Sequence, residues 1–289
     1  SQGMFVALIL CYLVAKVYCK ILSSKLKIKL PDSVPPMVSS SFESLIPVII
    51  TLVLVCSINY CFTLTSFGNI HALVNEIIQK PLLLIGTGLP ALLISQGLAQ
   101  LLWFFGLHGD QIVGSVMDPI LQTAGMENLS AYTAGDAVPY IITDQFRALF
   151  VMIAFMSLVI AILIVSKSNR LKGVGKVAVL PATFCISEPV VFGAPVVMNA
   201  MLFIPWVLSR PVFGLITWLF MKFGLCPYPT GVAIPWTTPP VLSGFLATNS
   251  IMGTVVQIIC LAIGVLMFIP FVKMIDKTYH QEEIKTKEQ

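Results

Sequence analysis

The sequence predicts an all-α integral membrane protein, with multiple transmembrane helices, two re-entrant helical hairpins and interfacial amphipathic helices. Three observations lead there. Apolar residues make up 57% of the chain and charged ones only 10%, a balance that a single water-soluble core cannot accommodate. Several windows approach the roughly 20 apolar residues that cross hydrocarbon. Two further apolar blocks are crowded with prolines and glycines, which suits backbone that enters a membrane only where protein or a wet cavity surrounds it.

In chain order, Met4 to Leu22 is a first span whose Lys16 and Lys20 reach toward an interface, followed by Lys25, Lys27 and Lys29. Pro31 to Ser44 reads as an interfacial connector, and Leu45 to Phe67 as a strong span. From Asn69 to Gln79 the residues Ile70, Leu73, Val74, Ile77 and Ile78 recur at spacings of three and four, which predicts an amphipathic helix at the membrane surface. Pro81 to Gly106 is interrupted by Gly86-Thr87-Gly88-Leu89-Pro90 and fits either a broken span or a segment that turns back. Leu107 to Gln145 carries His108, Asp110, Asp118, Glu127, Asp136 and Asp144, so it belongs in aqueous or protein-lined surroundings.

Arg147 to Val165 spans, and Lys167, Arg170, Lys172 and Lys176 follow it; Ile251 to Phe271 spans, and Lys273 and Lys277 follow that. Both basic clusters are expected on the cytoplasmic side, which requires an even number of crossings between them. Three apolar blocks lie there. Pro181, Pro189, Pro195 and Pro205 break Val177 to Val207, while Pro227, Pro229, Pro235, Pro239 and Pro240 crowd Val232 to Leu246. Taking both as re-entrant hairpins leaves Val212 to Phe223 and the last span as the two crossings.

Several functions are excluded early. Seven cysteines form no C-x-x-C pair and have no clustered histidines beside them, so neither a metal site nor a disulfide framework is expected. The net charge of +4 comes from residues flanking apolar segments, which reports topology and not a nucleic-acid partner. The chain opens Ser1-Gln2-Gly3 and runs at once into an apolar segment, as expected of a sequence that begins partway through a longer protein.

Glu188 is the only charged side chain between Val177 and Ser209. A charge in hydrocarbon costs roughly 2.5 to 3.5 kcal/mol on insertion scales, so such a residue is expected to face a cavity, a partner or a substrate. Alternatively, it serves as the first-turn carboxylate of a hairpin helix, a place that Pro189 also suits. His108 sits at a glycine-flanked break, Gly106-Leu107-His108-Gly109, where its ring can reach a ligand.

These residues carry a resemblance. Trp103-Phe104-Phe105-Gly106-Leu107-His108-Gly109, followed by Ile186-Ser187-Glu188-Pro189-Val190-Val191-Phe192-Gly193-Ala194-Pro195, resembles the sugar-transporting enzyme IIC of the bacterial phosphotransferase system, in its lactose, cellobiose and diacetylchitobiose branch. The likeness covers essentially the whole chain. It implies group translocation at the bacterial cytoplasmic membrane: a disaccharide crosses the bilayer, and a phosphocysteine on a separate, phosphorylated enzyme IIB phosphorylates its 6-hydroxyl. No cofactor is implied, the phosphoryl donor belongs to the partner protein, and the permease is expected to be a homodimer.

The same resemblance places Glu188 and His108 near the reactive hydroxyl as the catalytic pair. A carboxylate there can accept the hydroxyl's hydrogen bond, orient its lone pair for in-line attack and take its proton. Trp103 and Trp236 can lay apolar faces on a pyranose while their indole N–H groups meet hydroxyls, and Gln111 and Asn199 supply neutral amides that bind sugar without an ion's desolvation cost. Trp206 and Trp218 are expected as interfacial anchors, and Asp110 and Asp118 as solvated loop residues. Gly193 and Pro195 are expected to shape the hairpin. One departure is Cys185, where family members commonly carry an asparagine.

The implied organisation is 1–67 as the end of an N-terminal dimerisation domain, 68–80 as an amphipathic linker, 81–272 as the substrate-binding transport domain and 273–289 as a cytoplasmic tail. Relatives carry further N-terminal spans. Two rival functions stay open on sequence alone: an ion-coupled secondary transporter using Glu188 and Asp110, and a membrane sugar sensor.

Overall fold

Helices form wherever the apolar runs are long, and among the described residues no strand is present. The computed structural model describes all residues except 1–2, 25, 27, 29, 32–35, 67, 75, 78–79, 195 and 289. The chain divides into two compact units, Ser1–Leu82 and Leu83–Gln289.

In the first unit, α1 (Gly3–Leu22) packs on α2 (Pro36–Thr63) and on the short α3 (Ile70–Val74). Helix α2 starts well before the expected Leu45, so most of the stretch read as a connector is helical. Its serines make this tolerable: Ser40 and Ser41 donate back to the Met37 carbonyl and Ser44 to the Ser41 carbonyl. Pro47 lies inside the helix, and the Thr51 hydroxyl donates to its carbonyl at 2.8 Å. Of the expected surface helix the described residues show α3 and a π-helical Glu76 and Ile77, while Asn75, Ile78 and Gln79 lie outside them, as do Lys25, Lys27 and Lys29.

The boundary between units falls within α4 (Lys80–Gly86). A break at Thr87 and Gly88 separates it from α5 (Leu89–Phe104), with Pro90 in the first turn of α5. Helix α6 (Gly109–Ala134) takes up most of the polar stretch. A π-helical turn (Phe146–Val151) leads into α7 (Ala154–Val165). Then come α8 (Asn169–Thr183), α9 (Glu188–Gly193), α10 (Ala200–Lys222), α11 (Leu242–Thr248) and α12 (Ile251–Glu288). Among the described residues, four helical segments are long and apolar enough to cross a membrane: 36–63, 146–165, 200–222 and 251–285.

The proline-rich blocks fold differently from one another. Helix α9 doubles back on α8 across a four-residue break, bringing Gly193 against Val174. The first block nevertheless ends sooner than expected, because α10 runs unbroken from Ala200 through Pro205 and Pro211. Polar side chains inside the bundle reach the α10 backbone between these prolines: Gln100 Nε2 and Ser209 Oγ both donate to the Trp206 carbonyl. Trp206 is buried and donates to the Gln100 carbonyl at 3.1 Å, so it is a core residue and not an interfacial anchor.

The second block is no helical hairpin. Residues 225–239 are extended or turning, and helix resumes only at α11, which meets α12 through a tight turn. Neighbouring helices satisfy this irregular backbone. Asn128 donates to the Pro229 carbonyl, Gln145 bonds both Gly231 N–H and the Val232 carbonyl, and Gln257 accepts from Val241 and Gly244 N–H.

Helix α12 continues to Glu288, so the expected tail is helical. Asp276 on α12 accepts from Lys167 N–H at 2.7 Å and from the Ser168 N–H and hydroxyl. The two basic clusters, around Lys167 and around Lys273, are therefore neighbours on one side of the molecule, as the charge parity requires. The buried core has two parts, one around Leu121, Phe146, Phe150, Phe213 and Val256, the other around Leu158, Ile162, Val191, Trp206 and Phe268.

Candidate functional site

Breaks in four places converge on one cavity. The α5–α6 turn brings Trp103, His108, Asp110 and Gln111, and the π-helical turn with its approach brings Asp144, Gln145 and Arg147. The α8–α9 break supplies Cys185, Ser187 and Glu188, and the non-helical segment supplies Pro235 and Trp236. The cavity measures about 580 Å³, within the range of small-molecule sites. Five of the six candidate residues line it. Asn199 does not: its side chain accepts from Met201 N–H and caps α10.

Each candidate is set by local structure. Gly109 lets α6 start against α5, where a Cβ would run into the Ala99 carbonyl. His108 caps α6, its Nδ1 accepting from Gln111 N–H at 3.3 Å. A neutral imidazole whose Nδ1 accepts carries its proton on Nε2, so the free ring nitrogen is a donor. Glu188 opens α9 with Pro189 behind it and is exposed to the cavity. Trp236 is also exposed. Trp103, by contrast, is 3% exposed and donates its indole N–H to Asp110 Oδ2 at 2.9 Å, so that group is not available for a sugar hydroxyl as expected from sequence.

The sequence reading missed the ion pairs. Asp110 is not a solvated loop residue: Arg210 of α10 grips both its oxygens, at 2.5 and 3.0 Å. Burial alone would raise the Asp110 carboxyl, but the Arg210 charge and the hydrogen bonds from Arg210 and Trp103 outweigh it and hold it at about 2. Asp118 pairs with Arg147, and burial raises the carboxyls of Asp118 and Asp144 from their ordinary value against the pull of Arg147. An arginine at the start of an apolar span and another in mid-span were the available signals, since such charges are expected to have buried partners. Cys185, held at φ 62°, sends its Sγ to the Thr238 carbonyl at 3.6 Å and ties the Glu188 break to the Trp236 segment. Burial pushes its thiol up to about 11, so it is a packing group and not a nucleophile.

Residues 1–209 match the family model described as phosphotransferase system, EIIC. The chain belongs to that family. This EIIC chain is 44% identical over 282 residues to the oligo-beta-mannoside-specific EIIC component of Bacillus subtilis (strain 168), covering 96% of this chain and 64% of that protein. It is 39% identical over 290 residues to the cellobiose-specific EIIC component of Geobacillus stearothermophilus, covering 98% and 64%. Among solved structures it matches the transporter ChbC, the IIC component from the N,N'-diacetylchitobiose-specific phosphotransferase system, with a TM-score of 0.93 at 37% identity, covering 98% of this chain and 66% of that one. The EIIC chain thus spans just under two thirds of the length of these relatives, and it is an all-α integral membrane protein.

Proposed function

We propose that the protein binds a β-linked disaccharide in this cavity and presents its 6-hydroxyl for phosphorylation by a phosphorylated enzyme IIB during uptake. The observation that carries the reading is the convergence of Glu188, His108 and Trp236 on one cavity of about 580 Å³. The roles follow from their chemistry. Glu188 accepts the hydroxyl's hydrogen bond and takes its proton as bonding to phosphorus develops, while His108 Nε2–H donates to a sugar oxygen and fixes its angle. Trp236 offers an apolar face to the ring, and Gln111 a neutral amide. The phosphoryl group comes from the partner protein.

Relatives named for oligo-beta-mannoside, lichenan and cellobiose favour a β-linked substrate. A relative from Staphylococcus haemolyticus is a lactose-specific EIICB component, which supports an enzyme IIB partner acting beside this fold. The reading also takes the α8–α9 hairpin as re-entrant, places the protein in the bacterial cytoplasmic membrane, assigns 81–272 to sugar transport, and assigns 1–67 to a homodimer contact.

The test is to reconstitute the protein in vesicles with phosphorylated enzyme IIB and a panel of labelled disaccharides. Sugar 6-phosphate from at least one β-linked disaccharide is expected. Uptake of unmodified sugar that follows an ion gradient and ignores enzyme IIB would overturn the proposal in favour of a secondary transporter.

A further inference from the structure

His108 is held by more than its own cap. Its ring lies 4.4 Å from that of Trp103, centroid to centroid, tilted by 47°. Trp103 is fixed in turn by its indole N–H on Asp110, and Asp110 by the two-pronged contact from Arg210. The Arg210 side chain is 2% exposed and is absent from the lining of the main cavity. It borders a smaller void of about 70 Å³ behind that cavity, together with Asp110, Cys185, Ser187 and Trp236. The chain of contacts therefore runs from the middle of α10, through α6 and α5, to the imidazole.

We infer that Arg210 and Asp110 are positioning residues, which act through the Trp103 indole to hold His108 at the angle where its Nε2–H meets the sugar. The inference rests on the proposed role of His108. A buried ion pair is an uncertain source of stability, since desolvation offsets the attraction, and apolar pairs of similar volume are often as stable. It is a good source of geometry. A guanidinium fork on a carboxylate fixes both planes, and the second lone pair of Oδ2 remains to fix the indole. Both Asp110 oxygens are thereby occupied, which keeps this carboxylate from competing with Glu188 for the hydroxyl.

The test separates position from stability. Asp110→Leu/Arg210→Met removes both charges together and the acceptor for the indole, leaving no lone buried ion. The Trp103 indole N–H loses its partner, so a modest fall of the thermal midpoint in detergent is expected, with kcat/KM for sugar phosphorylation lowered by about tenfold to a hundredfold, as misplacement of a reacting group does. Made in a His108→Ala background, the same pair should cause no further loss, because the group it positions is gone. Trp103→Phe, which deletes the indole donor together with part of the ring that packs on His108, is expected to show the same dependence on His108 and serves if the double variant fails to fold. Unchanged kcat/KM, or an equal loss with and without His108, overturns the inference. Absence of sugar phosphate from the unaltered protein under every condition would instead sink the functional proposal on which it rests.

Discussion

Asp110 is where a single side chain does most to organise the site, and its ionisation has a definite consequence. Its carboxyl is lowered from 3.8 to about 2 in the folded protein. The stabilisation it contributes is therefore complete above the unfolded value and fades only as pH falls toward the folded one. In a His108→Ala variant the Trp103 indole N–H resonance should keep its chemical shift from neutral pH down to about 4 and move only below that; a transition near neutral pH in that variant would contradict the pairing. Glu188 and His108 were legible in sequence because a lone charge in an apolar run and a histidine between glycines stand out locally. The Asp110–Arg210 pair was not, since its members lie 100 residues apart and nothing local to either names the other as its partner. Asn199 misled for the opposite reason: an amide beside the Glu-Pro motif in sequence is turned by its own cap into a helix-terminal role.

At the scale of elements, long apolar runs were readable and their edges were not. Helix α2 extends into a serine-rich stretch that looks like a connector, its hydroxyls bonded back to helix carbonyls, and α10 runs on through Pro205 and Pro211. The least readable element is the non-helical segment bearing Trp236, whose shape depends on distant amides. Gln257, fully buried, accepts from Val241 and Gly244 N–H and donates to the Leu149 carbonyl at 2.7 Å and the Ser243 hydroxyl at 2.8 Å. Leu149 lies in the π-helical turn, a type of turn frequent at functional sites. Gln257→Leu strands these partners, and each buried unsatisfied group costs about 1–3 kcal/mol. A lower thermal midpoint together with weaker sugar binding is expected from melting and titration; weaker stability with unchanged binding would show that Trp236 does not depend on this anchor. Where α11 crosses α12, Gly253 lies against the Gly244 carbonyl, leaving no room for a Cβ. Gly253→Ala should cost about 1–3 kcal/mol, as overpacking does, and a melting curve identical to the unaltered protein would contradict that contact.

For the whole molecule, the helical extension of α12 joins the basic stretch around Lys273 to the one around Lys167 at the start of α8. Asp276 accepts from Lys167 and Ser168 N–H just ahead of α8, Glu283 accepts from Asn169 and Arg170 N–H, and the Arg170 guanidinium lies 4.1 Å from the Tyr279 ring centroid. Asp276→Ala is expected to cost about 1.5–3 kcal/mol, the usual value of a lost hydrogen bond to a charged group, and to speed hydrogen exchange at Lys167 and Ser168; unchanged exchange there would show the contact to be inconsequential. The most direct measurement of the central claim uses Glu188→Gln, in vesicles with phosphorylated enzyme IIB and a disaccharide that the unaltered protein converts. Sugar binding should persist, measured by titration, while formation of sugar 6-phosphate falls by about a hundredfold or more, the scale of a lost general base. Product formation at the unaltered rate would remove Glu188 from the chemistry of the cavity it opens into.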